Sequence, residues 1–261
     1  MQALTITGNT ALVSGELNAG LFERWTAFID ASPKTVETYS KNIRRFLAYL
    51  QSNGITQPQR DDILSYRDYL KAHYRPTTVQ GYLAAVKLFF QWTEQEGLYP
   101  NVAQRIKGAK LDTEHKRDYL TTKQVGRMLE TVERDSITGL RDYALLSLMV
   151  TTGLREISVA SANIGDIRAA GDATALYYRG KGHEEKAVYV KLAEPVEEAV
   201  RAYLSARGET DPTAPLFSST ANRNAGGRMT TRSISRIAKM RLVSAGLESS
   251  RLTGHSLRHT A

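Results

Sequence analysis

The chain has 261 residues, 35 Lys plus Arg against 27 Asp plus Glu, and a formal net charge of +8. With 41% hydrophobic and 24% charged residues it is a globular sequence of one large domain or two ordinary ones, not a disordered tail, and the absence of cysteine excludes a disulfide scaffold, a thiolate zinc site and a cysteine nucleophile. The basic surplus suits a polyanionic partner such as nucleic acid, although a merely basic soluble protein would carry the same charge.

Residues 1–17 lack a basic segment followed by an apolar run, so they read as a loose arm and not as a signal peptide. No apolar stretch is long enough to span a bilayer, which predicts a cytoplasmic protein with no membrane partner. From Ser32 and Pro33, which suit an N-cap and a first helical position, Val36, Tyr39, Ile43, Phe46, Leu47 and Leu50 recur at helical spacing. Gly54 ends that helix. Asp61 and Asp62 start a second, carrying Ile63, Tyr66, Tyr69 and Leu70. Arg75-Pro76-Thr77-Thr78 opens a third, with Val79, Leu83, Val86, Phe89 and Phe90 inside and Gly97 as its stop. Residues 18–106 therefore read as a small all-helical domain.

Residues 107–118 are polar, with little apolar periodicity, and read as a linker. Its basic charge suits either a phosphate backbone or a solvated tether. The second domain, 119–261, opens with Thr121 or Thr122 capping a helix that carries Val125, Met128, Leu129 and Val132. RDYALLSLMVTTGLR is apolar nearly all round, which predicts a buried helix ending at Gly153. ALYYRGKGHEEKAVYV contains two strand-like runs joined by a Gly-Lys-Gly turn. Helices are then expected over 195–206 and about 231–245, with Gly246 as the last stop. The second domain is thus mixed, mostly helical with a small sheet.

Four basic residues stand at element boundaries. Arg155 follows the buried helix, Lys181 is the tip of the glycine-flanked turn, and His255 and Arg258 lie three apart, on one face if that segment is helical. Arginine offers a planar fork of donors that matches phosphate oxygens. Two arginines, a lysine and a histidine together can hold the added negative charge of a phosphoryl-transfer transition state, with the lysine or histidine moving a proton. There is no compact carboxylate cluster, HExxH or GK[ST] phosphate loop, so neither a metal site nor a cofactor is expected. Phosphate chemistry of that kind normally uses a covalent nucleophile of the protein's own. Taken singly, each residue has a plainer role: Arg155 as a helix-end charge, Lys181 as an exposed turn residue, His255 as a satisfied structural histidine. His259 reads as structural.

The order of these segments resembles the tyrosine recombinase, or phage integrase, family. RDYALLSLMVTTGLREISVASANIGDI resembles its first arginine box, YYRGKGHEEKAVYV its β-hairpin lysine segment, HSLRHTA its His-x-x-Arg box, and RPTTVQGYLAAVKLFFQWTEQEG its N-terminal DNA-clamping domain. The resemblance implies a helical core-binding (SAM-like) domain followed by an α+β catalytic domain. It implies Arg155, Lys181, His255 and Arg258 as catalytic residues, no metal, and no cofactor. It further implies a clamp on double-stranded DNA at inverted-repeat sites, a homo-tetramer on paired sites, a 3′-phosphotyrosyl intermediate and nucleoid association. For DNA contacts the sequence offers Lys41, Arg44, Arg45, Arg75, Thr77, Thr78 and Lys87 in the first domain, and Arg228, Thr230 and Arg232 in the second. For each the alternative is a solvated surface group. Two departures stand out. The family often has a glutamate three residues after the first arginine, where this chain has Ser158, with Glu156 at another offset. The family's nucleophilic tyrosine follows the His-x-x-Arg box, whereas all thirteen tyrosines here precede His255. The expectation is a chain cut short before its nucleophile, able to bind DNA but not to cleave it. Rival readings are a non-catalytic DNA-binding protein or antagonist on the same fold, a type IB topoisomerase and a metal-dependent nuclease.

Overall fold

The computed structural model describes residues 19–110, 118–180 and 185–260, and the chain divides into two units, Met1–Glu114 and His115–Ala261. Among the described residues, the first unit has four helices: α1 (Ala19–Phe28), α2 (Pro33–Ser52), α3 (Arg60–His73) and α4 (Pro76–Gln95). Ser32 caps α2 through a bond from Thr35 N, and Pro33 and Pro76 sit where a missing amide proton costs nothing. α2 and α4 pack on each other, and the buried Asn42 side chain donates to Gly81 O at 3.0 Å, satisfying a polar group inside that contact. The core is aromatic. Trp25, Phe46, Tyr66, Phe89, Phe90 and Trp92 are all buried, with Phe46 in tilted and edge contact with Tyr66 and Phe90. Burial pushes the Tyr66 hydroxyl well above the usual phenol range.

Helix α1 was not separately read from the sequence, although Leu21 and Trp25, four residues apart, are buried on it, with Ile29 buried just past its end. The start of the predicted linker is packed, not tethered in solvent. Ala109 is buried, and the Gln80 amide donates to its carbonyl at 2.8 Å. Residues 111–117 and the arm 1–17 lie outside the described residues.

The second unit contains α5 (Thr122–Glu130), α6 (Ile137–Thr152), α7 (Glu156–Ala160), β1 (Ile167–Ala170), β2 (Ala173–Tyr178), β3 (Val188–Lys191), α8 (Glu194–Arg207), α9 (Thr231–Ser244) and α10 (Gly254–Thr260). Thr121, not Thr122, caps α5, in a capping box with Gln124. α6 is the central helix. Leu145, Leu146, Leu148 and Met149 are fully buried, and α8 packs along it. Gly153 ends α6 at φ 62°, a left-handed position that glycine takes without a Cβ penalty. The sheet is an antiparallel meander, β1-β2-β3, in which Ile167, Leu176 and Val190 share a row facing the core. Only two of its strands were legible; β1 is the segment IRAA, too short and too weakly apolar to signal itself.

Candidate phosphate-binding site and nucleic-acid interface

Arg155 stands at the junction between α6 and α7, with extended backbone (φ −70°, ψ 146°) and an exposed side chain. Its position follows from Gly153: the left-handed turn stops the buried helix, and the chain re-enters a helix three residues later, at Glu156. His255 and Arg258 lie on α10, His255 exposed and Arg258 half-buried. Their i, i+3 spacing gives them one side of that helix. The His255 and His259 rings meet edge to face, with centroids 4.9 Å apart.

The two segments are joined directly. Arg258 Nη1 donates to Gly153 O at 2.8 Å, so the His-x-x-Arg helix is bonded to the backbone two residues before Arg155. A second junction lies beside it. Ser235 Oγ, on α9, donates to Glu156 Oε1 at 2.7 Å, and a Cβ placed on Gly254 would collide with that carboxylate oxygen. The residue after Arg155 and the residue before His255 are therefore in contact.

Helix α7 has five residues and cannot hold itself together. Its far end is pinned by cations. Lys186 forms an ion pair with Asp166 and donates to Ser161 O at 3.1 Å. Arg228 donates to Ala160 O and Ala162 O, both at 2.9 Å, and to Asn163 Oδ1. The Arg228 guanidinium is thus bonded within the fold. Lys181 lies outside the described residues, but the strands that flank it, β2 and β3, are paired from Ala175↔Lys191 to Tyr178↔Val188. Lys186 fixes the returning strand's approach to the end of α7. Sequence reading did not single out Lys186, Asp166, Ser235 or Gly254; a glycine directly before His-x-x-Arg was the one available signal.

Thr230 and Arg232 flank the start of α9. The Thr230 hydroxyl accepts from Ser233 N, so it caps the helix, while Arg232 is exposed. In the helical unit, Lys41 on α2 is exposed. Arg44 lies over the Phe22 ring at 4.6 Å. Arg45 lies over Tyr74 at 4.9 Å and donates to the Tyr82 hydroxyl at 3.2 Å, a bond that also raises its pKa. Those contacts bring Arg45 to the first turns of α4, where Arg75, Thr77 and Thr78 are exposed at the helix N-terminus. Lys87, half-buried, is roughly 16 Å further along α4 at 1.5 Å per residue. Among the described residues, no group of three or more His, Cys, Asp or Glu could hold a metal ion. Nor is any helix among them long and apolar enough to cross a membrane.

The sequence pattern of the phage integrase family matches residues 118–261, more than half of the chain. The chain belongs to the phage integrase family. The N-terminal SAM-like domain of phage integrases matches residues 23–97. Tyrosine recombinase XerC of Chlamydia trachomatis (serovar L2) is 32% identical over 207 residues, a match covering 77% of this chain and 62% of that protein. The chain therefore spans less than two thirds of that relative's length. XerC of Pelobacter propionicus is 30% identical over 237 residues, covering 88% of this chain and 74% of the relative. Among solved structures, XerH site-specific recombinase bound to a palindromic difH substrate superposes with a TM-score of 0.71 at 18% identity, covering 94% of this chain and 72% of that one. A lambda integrase dimer (residues 75–356) bound to a COC′ core site gives 0.68 at 17% identity, covering 93% and 87%. At these identities the superpositions establish the fold: an N-terminal SAM-like domain and an integrase domain with a small antiparallel sheet. Arg155, Lys181, His255 and Arg258 all fall within the integrase match.

Proposed function

We propose that this chain is the DNA-binding and phosphate-holding part of a tyrosine site-specific recombinase, with a helical DNA-binding unit over 18–106 and a catalytic unit over 119–261. The observation that carries the reading is the bond from Arg258 to Gly153 O, which draws the His-x-x-Arg helix to the Arg155 corner. In the reaction, a tyrosine hydroxyl attacks a backbone phosphorus and the bond to the 5′ oxygen breaks. Arg155 and Arg258 hold the two non-bridging oxygens, on which charge builds in the transition state. Lys181 gives a proton to the leaving 5′ oxygen, and His255 takes the tyrosine's proton or donates to the phosphate. The 3′-phosphotyrosyl bond conserves the energy of the broken diester, so rejoining is the same step in reverse and needs no ATP.

All thirteen tyrosines precede His255, and burial raises the hydroxyl pKa of Tyr49, Tyr66 and Tyr99, which disfavours them as nucleophiles. We therefore propose that these 261 residues bind duplex DNA without cleaving it. Lys41, Arg44, Arg45, Arg75, Thr77 and Thr78 would contact backbone phosphates where α2 meets the start of α4, with Lys87, Thr230 and Arg232 as further contacts; Arg228 would act by supporting α7. Partners would be duplex DNA with inverted-repeat sites and, on paired sites, three further copies of the protein, in the cytoplasm at the nucleoid. A non-cleaving DNA-binding protein or antagonist on the same fold is the second reading, and a covalent adduct with nicked duplex DNA would exclude it.

The test is duplex binding by purified variants. Arg155→Ala and Arg258→Ala are each expected to weaken binding about 10-fold, as removal of a charged hydrogen bond to phosphate should. Unchanged affinity in both variants would remove these arginines from the DNA surface.

A further inference from the structure

Glu156 is the first residue of α7 and follows Arg155 directly. Helix geometry separates it from Ser158 by roughly 200° of rotation. The two side chains therefore leave the helix in different directions. Ser158 is buried. The Glu156 carboxylate instead turns to α9 and α10, where it accepts the Ser235 hydroxyl at 2.7 Å, within the range of a bond to an ionised acceptor. Gly254, at the start of α10, is wedged into the same corner. A Cβ there would strike Glu156 Oε1 and come within 3.3 Å of Ser235 Cα. The backbone of Gly254 is not left-handed, so what a side chain there would disturb is space and not conformation: it would displace the Glu156 carboxylate.

Helix α10 has seven residues and packs on α6 and α9 through the fully buried Leu257. The Arg258 guanidinium bonds Gly153 O, and Leu120 N donates to Thr260 Oγ1 at 2.9 Å. Both act at or beyond the helix centre. At its first turn, where His255 stands, the Glu156–Ser235 clasp lies against Gly254.

We propose that Glu156 is a positioning residue for the phosphate-holding corner: bonded to Ser235 and pressed on Gly254, it fixes the spacing between Arg155 and His255. The inference rests on the catalytic reading of those two residues. The carboxylate that the family often carries three residues after the first arginine is here one residue after it, and holds α10 from a different side. Glu156 touches no substrate in this scheme. It acts through the first turn of α10, so its loss should affect the rate of the chemical step more than DNA affinity.

The experiment compares Glu156→Ala, Glu156→Gln and Gly254→Ala with wild type in two measurements. The first is amide hydrogen exchange across residues 254–260 of the present chain. The second is duplex binding and strand cleavage by the protein as its gene encodes it. In Glu156→Ala and Gly254→Ala, exchange over α10 rises about 10-fold while that of α6 is unchanged, as expected for local opening. Cleavage falls about 10-fold or more, the equivalent of one hydrogen bond to a charged group, and duplex affinity stays within about 3-fold. Glu156→Gln keeps an oxygen acceptor for Ser235 and retains most of both. The proposal is overturned if α10 exchange is unchanged in Glu156→Ala, or if binding, cleavage and α6 protection decline together, which would indicate a general structural role. If Glu156→Ala does not fold, Glu156→Gln and Ser235→Ala carry the same comparison. Failure of wild type to cleave would instead sink the catalytic reading, with the exchange measurement still deciding whether the clasp exists.

Discussion

On the proposed function, duplex DNA affinity of this chain is expected to fall roughly 10³-fold between 50 and 200 mM salt, as for a protein that neutralises about six phosphates. The cations available for such contacts are distributed over both units. Lys41, Arg44, Arg45 and Arg75 lie near the α2–α4 crossing, and Arg155, Arg232 and Arg258 belong to the integrase domain. Arg228 is not counted, because its guanidinium is bonded to Ala160 O, Ala162 O and Asn163 Oδ1. Arg45 is counted although Tyr74 and Tyr82 hold it, since a cation stacked on rings keeps its charge and loses less freedom on meeting a phosphate. A plot of log affinity against log salt should have a slope of about −5. The slope is read from fluorescence anisotropy of a labelled duplex over that salt range. A loss below 10-fold would mean that the +8 net charge is a solvated surface and that the two units do not grip phosphates.

Replacing Arg141 by alanine destabilises the chain by about 3–5 kcal/mol, the cost of leaving one partner of a buried ion pair alone. Arg141 and Asp142 open the second turn of α6, with side chains only 6% and 3% exposed. Arg141 Nε and Nη2 donate to Asp142 Oδ1 at 2.9 and 2.7 Å, and Nη1 donates to Ser218 O and Thr220 Oγ1 at 3.1 and 3.0 Å. Those bonds tie the central helix to the segment after α8, where Tyr203 and Ser218 also bond each other. Without the guanidinium, Asp142 keeps among the described residues a distant Arg241 at 3.8 Å, and the Ser218 carbonyl loses the Arg141 donor. Urea unfolding measures the difference. The double variant Arg141→Met, Asp142→Leu should lose much less, because it removes both charges together. A loss under 1 kcal/mol in Arg141→Ala would show that water reaches the pair.

The sequence displayed this fold unevenly, for physical reasons. Helix α6 was legible because its apolar residues run all round and Gly153 marks its end. The same pattern hid the fact that Arg141 and Asp142 are buried with it, since a charged pair at a helix start normally reads as solvent-facing. α2 and α4 announced themselves through Ser-Pro and Arg-Pro starts and a helical stripe. α1 and β1 did not, one being a short helix of ten residues and the other four residues of IRAA. In the site, the order Arg155, Lys181, His255, Arg258 could be read along the chain. What could not be read was the support: Glu156 reaching Ser235, Arg258 reaching Gly153 O, Lys186 and Arg228 pinning the end of α7. These are contacts across 20 to 105 positions, and nothing local in the sequence records them. Arg228 illustrates the difference, since an arginine beside a helix start has the composition of a phosphate contact and here bonds three acceptors of its own fold.

The most direct measurement is denaturing electrophoresis of the protein as its gene encodes it, after incubation with nicked duplexes first enriched by binding to the present chain. The account predicts a covalent adduct on a 3′ phosphate. Adduct formation should fall about 10²–10³-fold in Arg155→Ala and in Arg258→Ala, at concentrations where the duplex remains bound. No adduct with wild type, or an adduct indifferent to both arginines, would contradict it.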